Sequence, residues 1–133
     1  MYEVIPNRAK NRIFFRMDGF LTDEEVHEVV ERMIAGIKSL QPGFDVINDL
    51  SSFKPVSPEG VKEIERLLRF SNEYGVRYVM RVSPPNIISR MQFDRIYRTT
   101  ESNSLTEYVA SREEAERRLD ELNAAAHKEK PKK

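Results

Sequence analysis

Short apolar runs alternate along this chain with longer segments whose apolar residues recur every three or four positions. Residues 2–5 read as a strand, and Pro6-Asn7 with residues 8–11 as a turn. Residues 12–18, with Ile13, Phe14, Phe15 and Met17, read as a second strand, so the two form a hairpin. Thr22 then opens a helix: Glu25 stands three residues on, at capping-box spacing, and Asp23, Glu24 and Glu25 place acids at the positive end of the helix dipole. Val26, Val29, Val30, Met33, Ile34 and Ile37 give that helix one apolar stripe, which ends before Pro42-Gly43.

Residues 44–50 read as the third strand and 51–56 as a loop. Ser57-Pro58-Glu59 marks a second helix start: a capping hydroxyl, proline at the first helical position, then an acid. Val61, Ile64, Leu67 and Leu68 form its inward stripe, and Gly75 terminates it. A fourth strand spans 77–82 and stops at Pro84-Pro85. A third helix over 86–97 is expected to turn Ile88, Met91 and Ile96 inward. A fifth strand covers 105–109, and Ser111 with Glu114 opens a last helix facing inward with Ala115, Leu119 and Leu122.

This order predicts an α/β fold: an antiparallel N-terminal hairpin strand, then strand–helix repeats in a mostly parallel five-stranded sheet. In the second and fourth strands arginines alternate with apolar residues, whereas strands covered on both faces read as continuous apolar runs. The expectation is therefore four helices mainly on one face, with Ile13, Phe15, Met80 and Val82 beneath them. Arg16 and Arg81 are expected on the opposite, open face. There Phe14, Ile47 and Val79 would form an apolar strip edged by Arg16, Arg77 and Arg81, a docking surface for a protein partner or a second copy of the chain.

At 133 residues the chain fits one domain, read as 1–126, followed by a disordered charged tail over 127–133. The 22 basic residues balance 22 acidic ones, so no net field favours nucleic acid or an anionic membrane. No cysteine is present, which removes disulfides, thiolate metal sites and a cysteine nucleophile, and no apolar run reaches transmembrane length. A cytoplasmic location is the expectation.

Catalytic raw material is sparse. His27 lies on the polar side of the first helix and His127 in the tail, with no serine or carboxylate partner fixed by spacing. The five glycines are far apart and form no phosphate-binding loop. Asp18 and Asp49 end strands, but no lysine follows the fifth strand to complete a receiver-like site. Neither an enzyme, a metal site nor a cofactor is expected. Arg77, Arg81, Arg90, Arg95 and Arg98, interleaved with Phe93 and Tyr97, make one region locally basic, a candidate for nucleic acid or an acidic partner.

The element order over residues 2–125, Asp49-Leu50-Ser51 closing the third strand and the run from Ser57 to Gly60 opening the next helix resemble the anti-sigma-factor antagonist domains, the STAS or SpoIIAA-like fold. In that family an Asp-Ser-Ser-Gly-like turn carries a serine phosphorylated by a partner kinase that is also an anti-sigma factor. Here the stretch is Val56-Ser57-Pro58-Glu59-Gly60: a serine and the glycine stand, and the leading acid and second serine are replaced. The resemblance implies a regulatory protein-interaction module, with Ser57 as phosphoacceptor and Asp49, Ser51, Ser52 and Gly60 in the partner loop. The chain is also similar to the Sec14 lipid carriers, which implies the alternative of a hydrophobic-ligand site. As a cap alone, Ser57-Pro58 is what any helix start requires.

Overall fold

Residues 1–100 and 104–129 are described by the structure, a computed structural model, with side chains as far as residue 126. The strands are β1 (Tyr2–Asn7), β2 (Arg12–Met17), β3 (Asp45–Asp49), β4 (Tyr78–Val82) and β5 (Leu105–Tyr108). The helices are α1 (Asp23–Lys38), α2 (Pro58–Tyr74), α3 (Ile87–Thr99) and α4 (Arg112–Glu129). The sheet runs in chain order, β1 through β5, with β1 antiparallel to β2 and every other pair parallel.

That order decides where the helices go. Each right-handed crossover steps one strand further in the same direction, so α1, α2 and α3 all land on one face. Ile13, Phe15, Met17, Val46 and Val79 meet Val26, Val30, Met33, Ile64, Leu67, Phe93 and Ile96 there in one core. Among the described residues no strand follows α4. Its apolar stripe has only the second face left, where Ala115 and Leu119 close over Phe14, Ile47 and Met80 in a smaller core.

Local signals hold the frame. Glu25 N–H donates to Thr22 Oγ1 and Thr22 N–H to Glu25 Oε1, the reciprocal box that starts α1. At the start of α4, Glu114 N–H donates to Ser111 Oγ, while the Glu114 carboxylate accepts from Ala110 N–H instead. Gly75 ends α2 at φ 104°, a left-handed turn that other residues adopt only with strain. The final helix continues to Glu129, through the first residues of the expected tail; residues 130–133 lie outside those described.

Two expectations fail, for two reasons: α4 covers the second face, and the alternation in β4 runs in the opposite phase to the one expected. Phe14 and Ile47 are buried beneath it, so no open strip exists. Met80 lies on the α4 side rather than beneath the first three helices. Val82, two residues on, shares its face. Val79 and Arg81 lie on the three-helix side, Arg81 opposite Asn48 and within reach of the α3 rings. The mid-strand arginines had argued for an open face, yet Arg12 and Arg81 are both buried and both paired.

Candidate functional site

The carboxyl ends of β2, β3 and β4 gather the loops that precede the helices. The β3 loop begins with a local turn: the Asp49 carboxylate accepts from Ser51 N–H at 3.0 Å and from Ser51 Oγ at 2.7 Å. On the α4 side, Phe14, Arg16, Asp49 and Ser51 meet Ser111 and Arg112 around a shallow cleft of about 330 Å³. Arg16 is held by Asp18 at 2.9 Å, and the Arg112 guanidinium lies 3.8 Å from the Phe14 ring centre. Arg77 is remote from this cleft. It sits at the opposite end of the sheet, bidentate to Asp45 and bonded to Asn123. Val79 and Arg81 are on the other face, so the six residues expected to form one surface fall in three places.

Ser57 caps α2 as its spacing predicts. Its hydroxyl accepts from Gly60 N–H at 3.1 Å and donates to the Asp23 carboxylate at the start of α1. A Cβ at position 60 would lie 2.9 Å from Val56 Cβ, so Gly60 is required by close packing of the turn. Ser52 is exposed in the loop after β3, where its carbonyl accepts from Gly19 N–H. The contact with Asp23, which spacing gave no hint of, puts a negative charge against the very oxygen a kinase would modify.

α3 presents the largest departure from the expected packing. Ser89, Phe93 and Ile96 face the core, whereas Ile88 is 65% and Met91 63% exposed. The two lie on one stripe with Arg95 and Arg98, and with Pro55 and Gln92 they line an open groove of about 640 Å³. Phe20, 77% exposed, stands at the same end of the sheet. The groove wall is fixed from behind. Gln92 Oε1 accepts from Val56 N–H at 2.9 Å and its amide donates to Val56 O at 3.0 Å, tying α3 to the loop before α2. The Phe53 and Phe93 rings meet edge to face beneath it.

Beneath α3, Arg81 is 2% exposed. Its Nη1 donates to Asp94 at 3.0 Å, and its guanidinium carbon lies 4.3 Å from the Tyr97 ring centre and 4.8 Å from that of Phe93. Burial pushes its pKa below the usual arginine value, against the pull of Tyr108, Tyr97 and Asp94. Nε and Nη2 are buried without a hydrogen-bond partner.

His27 is exposed, as expected, but not alone. Its Nδ1 lies 2.6 Å from Glu63 Oε1, and Arg66 bridges Glu63 and Glu31, so the four residues join α1 to α2. Glu63 is held below the ordinary carboxylate range, chiefly by its hydrogen bond to His27; burial opposes this and Arg66 assists. Among the described residues no cluster of three or more His, Cys, Asp or Glu could hold a metal ion, and no helix is long and apolar enough to cross a membrane. The narrow cavity between the sheet and α2, lined by Phe15, Asn48, Leu67 and Tyr97, measures about 20 Å³, room for about one water molecule. His127 lies beyond the described side chains.

No protein-family model matches the chain, and no curated protein matches it. Among solved structures, an uncharacterised protein of the DUF3478 family from Shewanella loihica PV-4, described as having a SpoIIAA-like fold, superposes with a TM-score of 0.64. The match covers 89% of this chain and 93% of that one at 15% identity. The likeness is one of fold: a mixed five-stranded sheet and four helices in SpoIIAA-like arrangement.

Proposed function

We propose that this chain is a non-catalytic, regulatory protein-interaction module that docks its partner on the outer face of α3. The observation that carries the reading is the exposed pair Ile88 and Met91 on a helix whose other face is fully committed to the core. Burying two such side chains is worth about 3–6 kcal/mol, and leaving them in water is understandable where a partner covers them. The groove is backed by the Gln92–Val56 pairing, so little conformational freedom is lost on binding. The SpoIIAA-like fold agrees with this reading, since the family resemblance implies regulation by protein contact. A hydrophobic-ligand carrier would need roughly 300 Å³ or more of sheltered volume, and the cavity of about 20 Å³ beneath α2 gives that alternative no support. Nucleic-acid binding through the Arg77 to Arg98 region is weakened by Arg77 and Arg81, which are spent on Asp45 and Asp94.

Affinity capture from the native host, run in parallel with wild type and Ile88→Glu/Met91→Glu, tests the reading. A stoichiometric protein recovered by wild type and lost with the double variant is the expected result. The same recovered proteins from both would refute it.

A further inference from the structure

The basic half of the α3 stripe carries two arginines outside any ion pair; among the described residues Arg8, Arg32, Arg90 and Arg112 share that state, but Arg95 and Arg98 are the ones that line the groove. Arg12, Arg16, Arg66, Arg69, Arg77, Arg81, Arg117 and Arg118 each lie within 4.0 Å of a carboxylate. Among the described residues Arg95 and Arg98 have no such partner, and both are exposed on the groove wall. The acid beside them, Asp94, is already neutralised by Arg81. Residues 88, 91, 95 and 98 follow helical spacing, so the stripe runs about 15 Å along the helix, apolar at its amino end and cationic at its carboxyl end.

This polarity constrains the occupant. Acids are most stable in the first turn of a helix, where they meet the positive end of the dipole. The geometry points to an amphipathic helix of a protein partner, laid antiparallel to α3. Its acidic first turn meets Arg95 and Arg98, and its apolar residues one to two turns later fill the groove over Met91 and Ile88. This occupant deepens the interaction-module reading and rests on it. A concave groove walled by Pro55 fits the side chains of a helix, whereas a lipid surface is met by a convex face.

The test uses two fluorescent peptides of about 16 residues with the same leucine stripe, one with Asp and Glu in its first turn, the other with Lys there. Anisotropy is read in low salt against wild type, Arg95→Glu/Arg98→Glu and Ile88→Ser/Met91→Ser, each first shown to melt as wild type does. The expected result is at least tenfold tighter binding of the acidic peptide by wild type. That preference reverses in the arginine variant, and both peptides weaken in the apolar variant. Equal affinity for the two peptides, or acidic-peptide affinity unchanged by the arginine variant, overturns the proposal. So does sedimentation with phosphatidylglycerol vesicles that depends on both residue pairs while neither peptide binds. Affinity capture separates this proposal from the reading beneath it. A host protein lost from Ile88→Ser/Met91→Ser but kept by Arg95→Glu/Arg98→Glu leaves the module standing without an acidic partner. If neither pair changes the captured protein, both fall.

Discussion

Aspartate is the usual mimic of phosphoserine and also an excellent helix cap, so at Ser57 the two roles oppose each other in a measurable way. Ser57→Asp keeps the capping acceptor for Gly60 N–H but turns a hydrogen bond to Asp23 into a carboxylate–carboxylate contact. Two charges about 4 Å apart repel by about 1 kcal/mol in water and about 4 kcal/mol at the effective dielectric of a protein surface. The partly exposed setting places the electrostatic cost near the lower figure, and the lost charge-assisted hydrogen bond adds about 1 kcal/mol. Ser57→Asp should therefore destabilise the fold by about 2 kcal/mol, a shift of about 1 M in the urea midpoint. Ser57→Asn caps as well and can still donate to Asp23, so it should lie within about 0.5 kcal/mol of wild type. Asp23→Asn in the Ser57→Asp background should restore most of the loss, a coupling that a double-mutant cycle isolates. A Ser57→Asp protein as stable as wild type, or a loss that Asp23→Asn does not relieve, would refute the reasoning. A true phosphoserine carries more charge against the same acid and against Glu59, so modification would press the starts of α1 and α2 apart.

Other expectations follow from single residues. Arg81→Met gives up the Asp94 bond and the ring contacts, about 2 kcal/mol each, but relieves two unmet buried nitrogens, Nε and Nη2, at about 1–3 kcal/mol apiece. Its urea stability should fall within about 1 kcal/mol of wild type, whereas Arg81→Ala, which leaves a void, should lose about 3 kcal/mol; a loss of that size in the Met variant would contradict the balance. Glu63 titrates below its unfolded value, so its contribution to stability is complete above about pH 4.5 and disappears as pH falls through the folded pKa. The stability gap between wild type and Glu63→Gln should narrow as pH drops from 5 toward 3, and a gap independent of pH would count against the His27 pairing. Gly75→Ala should cost about 1 kcal/mol or more by thermal melting, because the residue sits at φ 104° with Pro42 Cβ 3.3 Å from the new methyl; an unchanged melting temperature would show that the turn relaxes.

Helix starts were the most legible feature, because Thr22, Ser57 and Ser111 announce themselves by local hydrogen bonding alone. Strand order and crossover hand then fixed the sheet. The faces were harder to read. Period-two alternation in β4 separates Val79 and Arg81 from Met80 and Val82 but does not say which pair meets which helices. The signal for the second face lies in α4: the stripe Ala115, Leu119 and Leu122 needs a sheet face, and three crossovers in one direction leave only one. α3 misled for a different reason. It has apolar residues at nearly every angle, Ile87, Ile88 and Met91 on one side and Phe93, Ile96 and Tyr97 on the other. The aromatic residues won the interior, where they enclose Arg81, and the aliphatic ones were left outside as the candidate docking surface. The Asp23–Ser57 and His27–Glu63 contacts join residues 34 and 36 positions apart, distances at which spacing carries no information.

Docking on the outer face of α3 is tested most directly by placing a photo-crosslinking residue at Met91 and, as a control, at Arg117 on the exposed side of α4, then irradiating the native host. A single discrete heavier adduct from position 91, absent from position 117 and abolished by adding Ile88→Glu, is the predicted result. Adducts of the same pattern from both positions, or none from position 91, would contradict the account.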